Sequence, residues 1–149
     1  MKYFLIIIIF IASIFFLASD TSQVEEVDIA DIRYIKIADM VLKVELAFDD
    51  ESRTLGLSGR SELKKDEGLL FVFDTPGKYS FWMKDINFPI DIIWIGEDKK
   101  VVYIKDNALP DSYPEIFTPD QDTKYVLEVS PDFLEKYDLK VGGRVEFLK

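Results

Sequence analysis

Turn-forming residues divide the chain after residue 31 into short apolar runs, and this spacing restricts the fold more than any other feature. Within residues 40–48, Leu42 and Val44 alternate with Lys43 and Glu45. Such a period of two is typical of a strand with one buried face. Repeated runs of this kind predict a compact all-β domain, mainly antiparallel, of barrel-like or sandwich form with one or two short helices.

The other predicted strands are short apolar runs that end near Gly, Pro or Asp. They cover residues 32–37, 69–73, 79–83, 90–95, 100–104, 124–129 and 144–148. The turn composition of residues 74–77 predicts that the runs on either side of it form a hairpin. Short helices are predicted after Asp49 or Asp50 through Leu55, and from Ser130 to about Tyr137. The prolines within residues 108–122 predict a long surface loop.

The first residues differ in character from the rest of the chain. Met1 and Lys2 precede residues 3–18, which are apolar except for Ser13. This pattern fits both a cleaved signal peptide and a retained membrane anchor over residues 1–19, followed by an acidic linker over residues 20–31. We therefore expect one β domain over residues 32–149, held outside the cytoplasm as a membrane-anchored or secreted protein.

The charge and the residue types exclude several kinds of function. The formal net charge of −10 makes a nucleic acid an unfavourable partner, because phosphate backbones are repelled. The chain has no cysteine and no histidine, which excludes disulfides, thiolate chemistry and histidine-based triads. The sequence predicts no metal site and no cofactor. The chemistry that is left belongs to carboxylates, Lys, Arg, Tyr, Ser and Thr.

The central part of the chain carries several linked motifs. They are Arg-x-x-Gly-Leu at 53–57, Gly-Leu-Leu-Phe-Val-Phe at 68–73, Phe-Trp-Met-Lys at 81–84, Pro-Ile-Asp-Ile at 89–92 and Val-Leu-Glu at 126–128. With these motifs, residues 40–149 resemble the domain of unknown function 192 family of small secreted or envelope-associated proteins from bacteria and archaea. The resemblance implies no established activity. Ser58, Asp85 and Ile86 depart from the Met, Asn and Thr that are usual in that family.

Basic, aromatic and acidic residues near these motifs form the candidate site. Arg presents a planar fork suited to carboxylate or phosphate, and an exposed aromatic ring provides a platform for a sugar. We expect a groove that binds a polar or anionic ligand, such as a glycan or a peptide carboxylate. Its predicted lining residues are Arg53, Arg60, Trp82, Lys84, Asn87 and Asp91.

Two other functions fit the same residues. A carboxylate-dependent hydrolase would use Asp91 and Glu128 in acid–base roles, which requires carboxyl groups about 5–10 Å apart. A structural or accessory envelope protein would pair the candidate charges internally and bind no small ligand. The sequence favours the binding module over both alternatives and favours a non-enzymatic role.

Overall fold

The structure is a computed structural model that describes residues 28–149. The predicted signal peptide or anchor (residues 1–19) and residues 20–27 of the predicted linker lie outside the described residues. Within the described part of the chain, no helix is long and apolar enough to cross a membrane.

Seven strands form a single sheet. They are β1 (Tyr34–Ile37), β2 (Met40–Ala47), β3 (Glu67–Gly77), β4 (Ile90–Ile95), β5 (Val101–Ala108), β6 (Thr123–Val129) and β7 (Val145–Leu148). The spatial order is β5-β4-β6-β3-β2-β1-β7, and every neighbouring pair is antiparallel except β2 and β3. The sheet curls into a half-barrel, and a bridge between Lys100 and Arg144 brings its two outer strands together at one end. The all-β, mainly antiparallel prediction is confirmed.

Two short α-helices connect strands of this sheet. Helix α1 (Asp50–Leu55) lies between β2 and β3, as a parallel pair requires a crossover connection. The Asp49 side chain accepts from the Ser52 N–H at 2.7 Å, and the Ser52 hydroxyl accepts from the Asp49 N–H at 3.2 Å. This capping box confirms the predicted helix start.

The predicted start of the second helix is wrong. Helix α2 (Phe133–Lys136) begins three residues after Ser130, and Asp132 occupies its N-cap with a positive φ of 66°. Ser130 is buried directly after β6 and does not act as the cap. Two 3₁₀ turns complete the helical content of residues 28–149, at Ile29–Asp31 and Pro110–Ser112.

The predicted hairpin across residues 74–77 is also wrong. Strand β3 continues through this segment to Gly77, which pairs with Thr123 of β6. Residues 79–83 do not pair with β3. They form only one bridge, between Phe81 and Phe117, with N–H···O distances of 2.9 and 2.8 Å.

Each face of the sheet carries its own apolar core. Helix α2 packs on the first face through Phe133 and Leu134, beside Leu127 and Val129 of β6. The second face is covered by the loops after α1 and before β4. Its buried residues include Ala47, Leu57, Leu69, Phe71, Met83, Ile86, Ile90, Ile92, Trp94 and Val126. The Trp94 indole donates to the Tyr79 carbonyl at 2.8 Å and so ties the loop before β4 to the sheet.

Gly68, at the start of β3, is closely surrounded by neighbouring atoms, so a substitution there measures how tightly the sheet is packed. A Cβ there lies 3.0 Å from Leu127 Cδ1 and 3.2 Å from the Glu128 carbonyl oxygen. Because a backbone atom cannot move aside cheaply, we expect Gly68→Ala to destabilise the fold by about 1–3 kcal/mol. The measurement is urea unfolding.

Gly96→Ala is the control for this substitution. Its added Cβ meets Asp98 Oδ1 at 2.9 Å, the end of an exposed side chain that can turn away at the cost of one exposed hydrogen bond from the Lys100 N–H. Equal stability losses for the two variants would contradict the packing explanation.

Candidate functional site

A cleft of about 480 Å³ lies over the second face of the sheet. One side is formed by α1 and the residues after it, and the other by the loop before β4. Five aromatic side chains line it: Phe71, Phe73, Tyr79, Phe81 and Trp82. Aromatic rings are therefore the main apolar groups of the cleft lining.

Ring-to-ring packing fixes most of this aromatic lining. Phe73 stacks on Tyr79 with ring centroids 3.4 Å apart, and Phe71 meets Phe81 edge to face at 4.8 Å. Trp82 is different, because 46% of its surface is exposed. The cleft thus combines a preformed aromatic wall with one ring open to solvent.

Glu128 brings a carboxyl group to the bottom of this cleft. The alternation of β6 turns Leu127 and Val129 into the first core and leaves Glu128 on the second face, opposite Leu69 and Ile92. Glu128 is only 2% exposed, and its Oε2 atom is buried without a hydrogen-bond partner.

The protonation of Glu128 follows from this environment. Burial raises the pKa of its carboxyl to about 8, and the charge of Arg60 opposes that shift only in part. The group therefore carries a proton at neutral pH. A protonated carboxyl both donates and accepts hydrogen bonds, so it can bind a polar group of a ligand.

Arg53 lines the cleft, but its guanidinium also serves the fold. It donates to the carbonyls of Phe48 at 2.8 Å and Val72 at 2.9 Å, and to Asp50 Oδ1 at 2.8 Å. It lies 5.5 Å from the centre of the Phe73 ring. These contacts hold α1 against β3 and leave Arg53 less able to bind a ligand anion.

The other predicted basic and amide residues have different positions. Arg60 forms a bidentate pair with Glu45 at 2.9 and 2.8 Å, which lowers the pKa of Glu45, and it lies outside the cleft lining. Lys84 is exposed, lines the cleft and forms no ion pair with any described residue. Asn87 is exposed and does not line the cleft.

Asp91 lies on the opposite face of the sheet from Glu128. Ile92, and not Asp91, is the β4 residue opposite Glu128. The fully buried Asp91 carboxylate accepts from the N–H groups of Asn107 at 2.8 Å and Leu134 at 3.0 Å, and so caps the first turn of α2. Burial raises the pKa of Asp91, although both hydrogen bonds act in the opposite direction.

The structure thus brings together only part of the predicted site. Of the predicted residues, those that line the cleft are Arg53, Trp82, Lys84 and Glu128. The stacked pair Phe73 and Tyr79 was missed, although the aromatic density of residues 71–82 is a signal for it. Within residues 28–149, no group of three or more acidic residues is arranged to hold a metal ion.

The contacts of Asp91 predict a large effect on stability. Asp91→Ala leaves two backbone N–H groups without their acceptor, and we expect a loss of about 3 kcal/mol. Thermal unfolding would show this as a melting temperature lower by roughly 10 °C. The exposed neighbour Asp106 contributes to the raised pKa of Asp91 through its negative charge and a side-chain hydrogen bond, and the comparison variant Asp106→Ala leaves both backbone N–H bonds of Asp91 in place. An Asp91→Ala protein as stable as that control would show that Asp91 does not support α2.

The raised pKa of Glu128 predicts an unusual pH dependence of stability. A carboxyl with a higher pKa in the folded state favours folding while it is protonated. Its contribution is therefore complete below about pH 4.5 and is lost as the pH rises to about 8. We expect Glu128→Gln, which mimics the neutral acid, to gain stability over the wild type by up to about 1.4 kcal/mol per pH unit in this window.

Urea unfolding at several pH values between 5 and 8 measures this difference. Asp91 titrates in both proteins, so the difference between the two curves isolates Glu128. Curves that stay parallel over this range would contradict a neutral Glu128.

Comparisons with known proteins identify the family of this fold. A crystal structure from Sinorhizobium meliloti 1021, called a "putative transcription regulator", is 28% identical with a TM-score of 0.72, covering 76% of this chain and 92% of the other. A protein of unknown function from Novosphingobium aromaticivorans DSM 12444 is 32% identical, also with a TM-score of 0.72, covering 77% and 84%. None of the curated proteins matches the chain. The model of the family DUF192, described as "Uncharacterized ACR", matches residues 33–147, and the chain belongs to this family.

Proposed function

We propose that the domain is a binding module whose cleft takes a polar ligand of the glycan class. The observation that carries this proposal is the buried Glu128 carboxyl, whose Oε2 has no hydrogen-bond partner at the bottom of an aromatic cleft. A buried polar atom without a partner costs about 1–3 kcal/mol. A ligand hydroxyl that meets Glu128 would remove this cost.

The aromatic lining supports a sugar ring as the bound group. Sugar rings have apolar C–H faces that pack on aromatic rings, and Trp82 offers an exposed ring at the cleft. The 480 Å³ of the cleft lies within the range of about 300–1,000 Å³ that is usual for small-molecule sites. A mono- or disaccharide unit matches this size.

An anionic ligand, such as a peptide carboxylate, has less support. Arg60 is paired with Glu45 outside the cleft lining, and Arg53 is held by two carbonyls and Asp50. Lys84 is the cation of the lining that has no described ion-pair partner. One exposed lysine gives a weaker basis for anion binding than the three cations of the sequence-based hypothesis.

The hydrolase alternative loses its proposed carboxyl pair, because Asp91 and Glu128 lie on opposite faces of the sheet. A structural role without a ligand would explain the contacts of Arg53, Arg60 and Asp91. A purely structural role does not explain why Glu128 is buried with no hydrogen-bond partner for its Oε2 atom.

We also propose that the domain acts outside the cytoplasm, attached to a membrane or secreted through residues 1–19. The support is the charge and apolar pattern of that segment. One structural relative is called a "putative transcription regulator". The net charge of −10 does not favour DNA as a partner of this chain.

Calorimetric titration of residues 20–149 with a panel of mono- and disaccharides tests this function. We expect saturable binding of at least one sugar and about tenfold weaker binding by Trp82→Ala, because the stacking ring is lost. Tyr34→Ala removes an exposed aromatic ring on β1, outside the cleft lining, and should bind like the wild type. A panel without any binding would contradict the proposal and support the structural role.

A further inference from the structure

The Glu128 carboxyl has no cationic partner within the described part of the chain. It takes part in no ion pair there, and its Oε2 receives no hydrogen bond. Arg60 is the described cation whose charge reaches it, but both guanidinium nitrogens of Arg60 that form hydrogen bonds donate to Glu45. The acid therefore retains an unfilled position for a hydrogen-bond donor or a cation.

The walls around this acid also suit a cation. The faces of Phe, Tyr and Trp rings carry negative charge density and attract ammonium groups, more strongly where water is excluded. Five such rings line the same cleft as Glu128. The net charge of −10 additionally raises the concentration of cations near the surface.

From this arrangement we infer that Glu128 binds a protonated amine, so that the ligands of the cleft are amino sugars. This inference rests on the proposed function and narrows it from glycans in general to those with a free amino group.

The other charges around Glu128 do not oppose an ammonium group strongly. On the neighbouring strands, Leu69 of β3 and Ile92 of β4 face it, and both are apolar. The charge of Arg60 is matched by Glu45, and that of Arg53 by Asp50. Lys84 is exposed, so solvent screens its repulsion.

Binding of an ammonium group has a defined proton balance. In the free protein the Glu128 carboxyl is protonated at neutral pH. When it pairs with R–NH₃⁺, the carboxyl O–H bond breaks, the carboxylate accepts from the ammonium, and one proton passes to the buffer. Affinity for an amino sugar should therefore increase about tenfold per pH unit below pH 8, as long as the amine stays protonated.

The test compares glucosamine, N-acetylglucosamine and glucose by calorimetry at pH 6 and pH 7, in pairs of buffers with different ionisation enthalpies. We expect glucosamine to release about one proton per molecule bound, and its dissociation constant to fall about tenfold from pH 6 to pH 7. Glucose and N-acetylglucosamine should release no proton. At pH 7 we expect them to bind at least about tenfold more weakly than glucosamine.

Glu128→Gln keeps the shape of the neutral acid but cannot ionise. We expect this variant to release no proton and to bind glucosamine and glucose with similar affinity. Glu115→Gln, at an exposed position outside the cleft lining, is the matched control and should behave like the wild type. The number of protons that the wild type releases on binding glucosamine is measured without either variant, so the test remains valid if a variant fails to fold.

The outcomes separate the inference from the function on which it rests. Equal binding of glucose and glucosamine without proton release would overturn the amine inference and leave sugar binding intact. An absence of binding by all three sugars and by the wider saccharide panel would overturn the proposed function and the inference together.

Discussion

The hydrogen bonding of β6 to β3 on one side and β4 on the other is the constraint on which the rest of the structure depends. Because β6 lies inside the sheet, the side chains of residues 125–129 alternate between its two buried faces. Leu127 and Val129 enter the first core, and Val126 enters the second. The same alternation puts Glu128 on the second face, so the strand that stabilises the sheet also buries a carboxyl at the bottom of the cleft.

The parallel pairing of β2 and β3 has a second consequence for the site. A parallel pair needs a crossover, and here the crossover contains α1 and the loop that follows it, which form one side of the cleft. Arg53 fixes this side by joining α1 to the Phe48 and Val72 carbonyls. The arginine thus shapes the cleft through its contacts with the backbone, which accounts for its place in the lining without any ligand contact.

Local sequence patterns correctly predicted those elements whose limits do not depend on pairing with a distant strand. The alternation in residues 40–48 identified β2, the apolar run at 90–95 identified β4, and Asp49 marked the start of α1. The extension of β3 through residues 74–77 was missed, because Gly77 at its end pairs with Thr123, which is 46 residues away in sequence. Such long-range pairing decides strand limits, and a single sequence does not display it.

The candidate site was predictable to a similar degree. Trp82 and Lys84 were found because an exposed ring and a lysine beside a motif signal a surface site. Arg60 and Asp91 were predicted for the site but do not belong to the cleft lining. Arg60 pairs with Glu45, and Asp91 points to the opposite face of β4 from the cleft. Residue type alone indicates that a charge needs a partner, but it does not say whether that partner belongs to the protein or to a ligand.

The two buried carboxyls differ in whether the protein itself supplies their hydrogen-bond partners. Asp91 and Glu128 are both buried on central strands, and burial raises the pKa of each. Two backbone N–H groups meet the oxygens of Asp91, so its place in the fold is complete. Glu128 has no such donor for Oε2, and an apolar residue there would avoid the cost of burying it. An acid that the fold does not satisfy, at the bottom of an open aromatic cleft, is better explained by what enters the cleft than by what holds the sheet together.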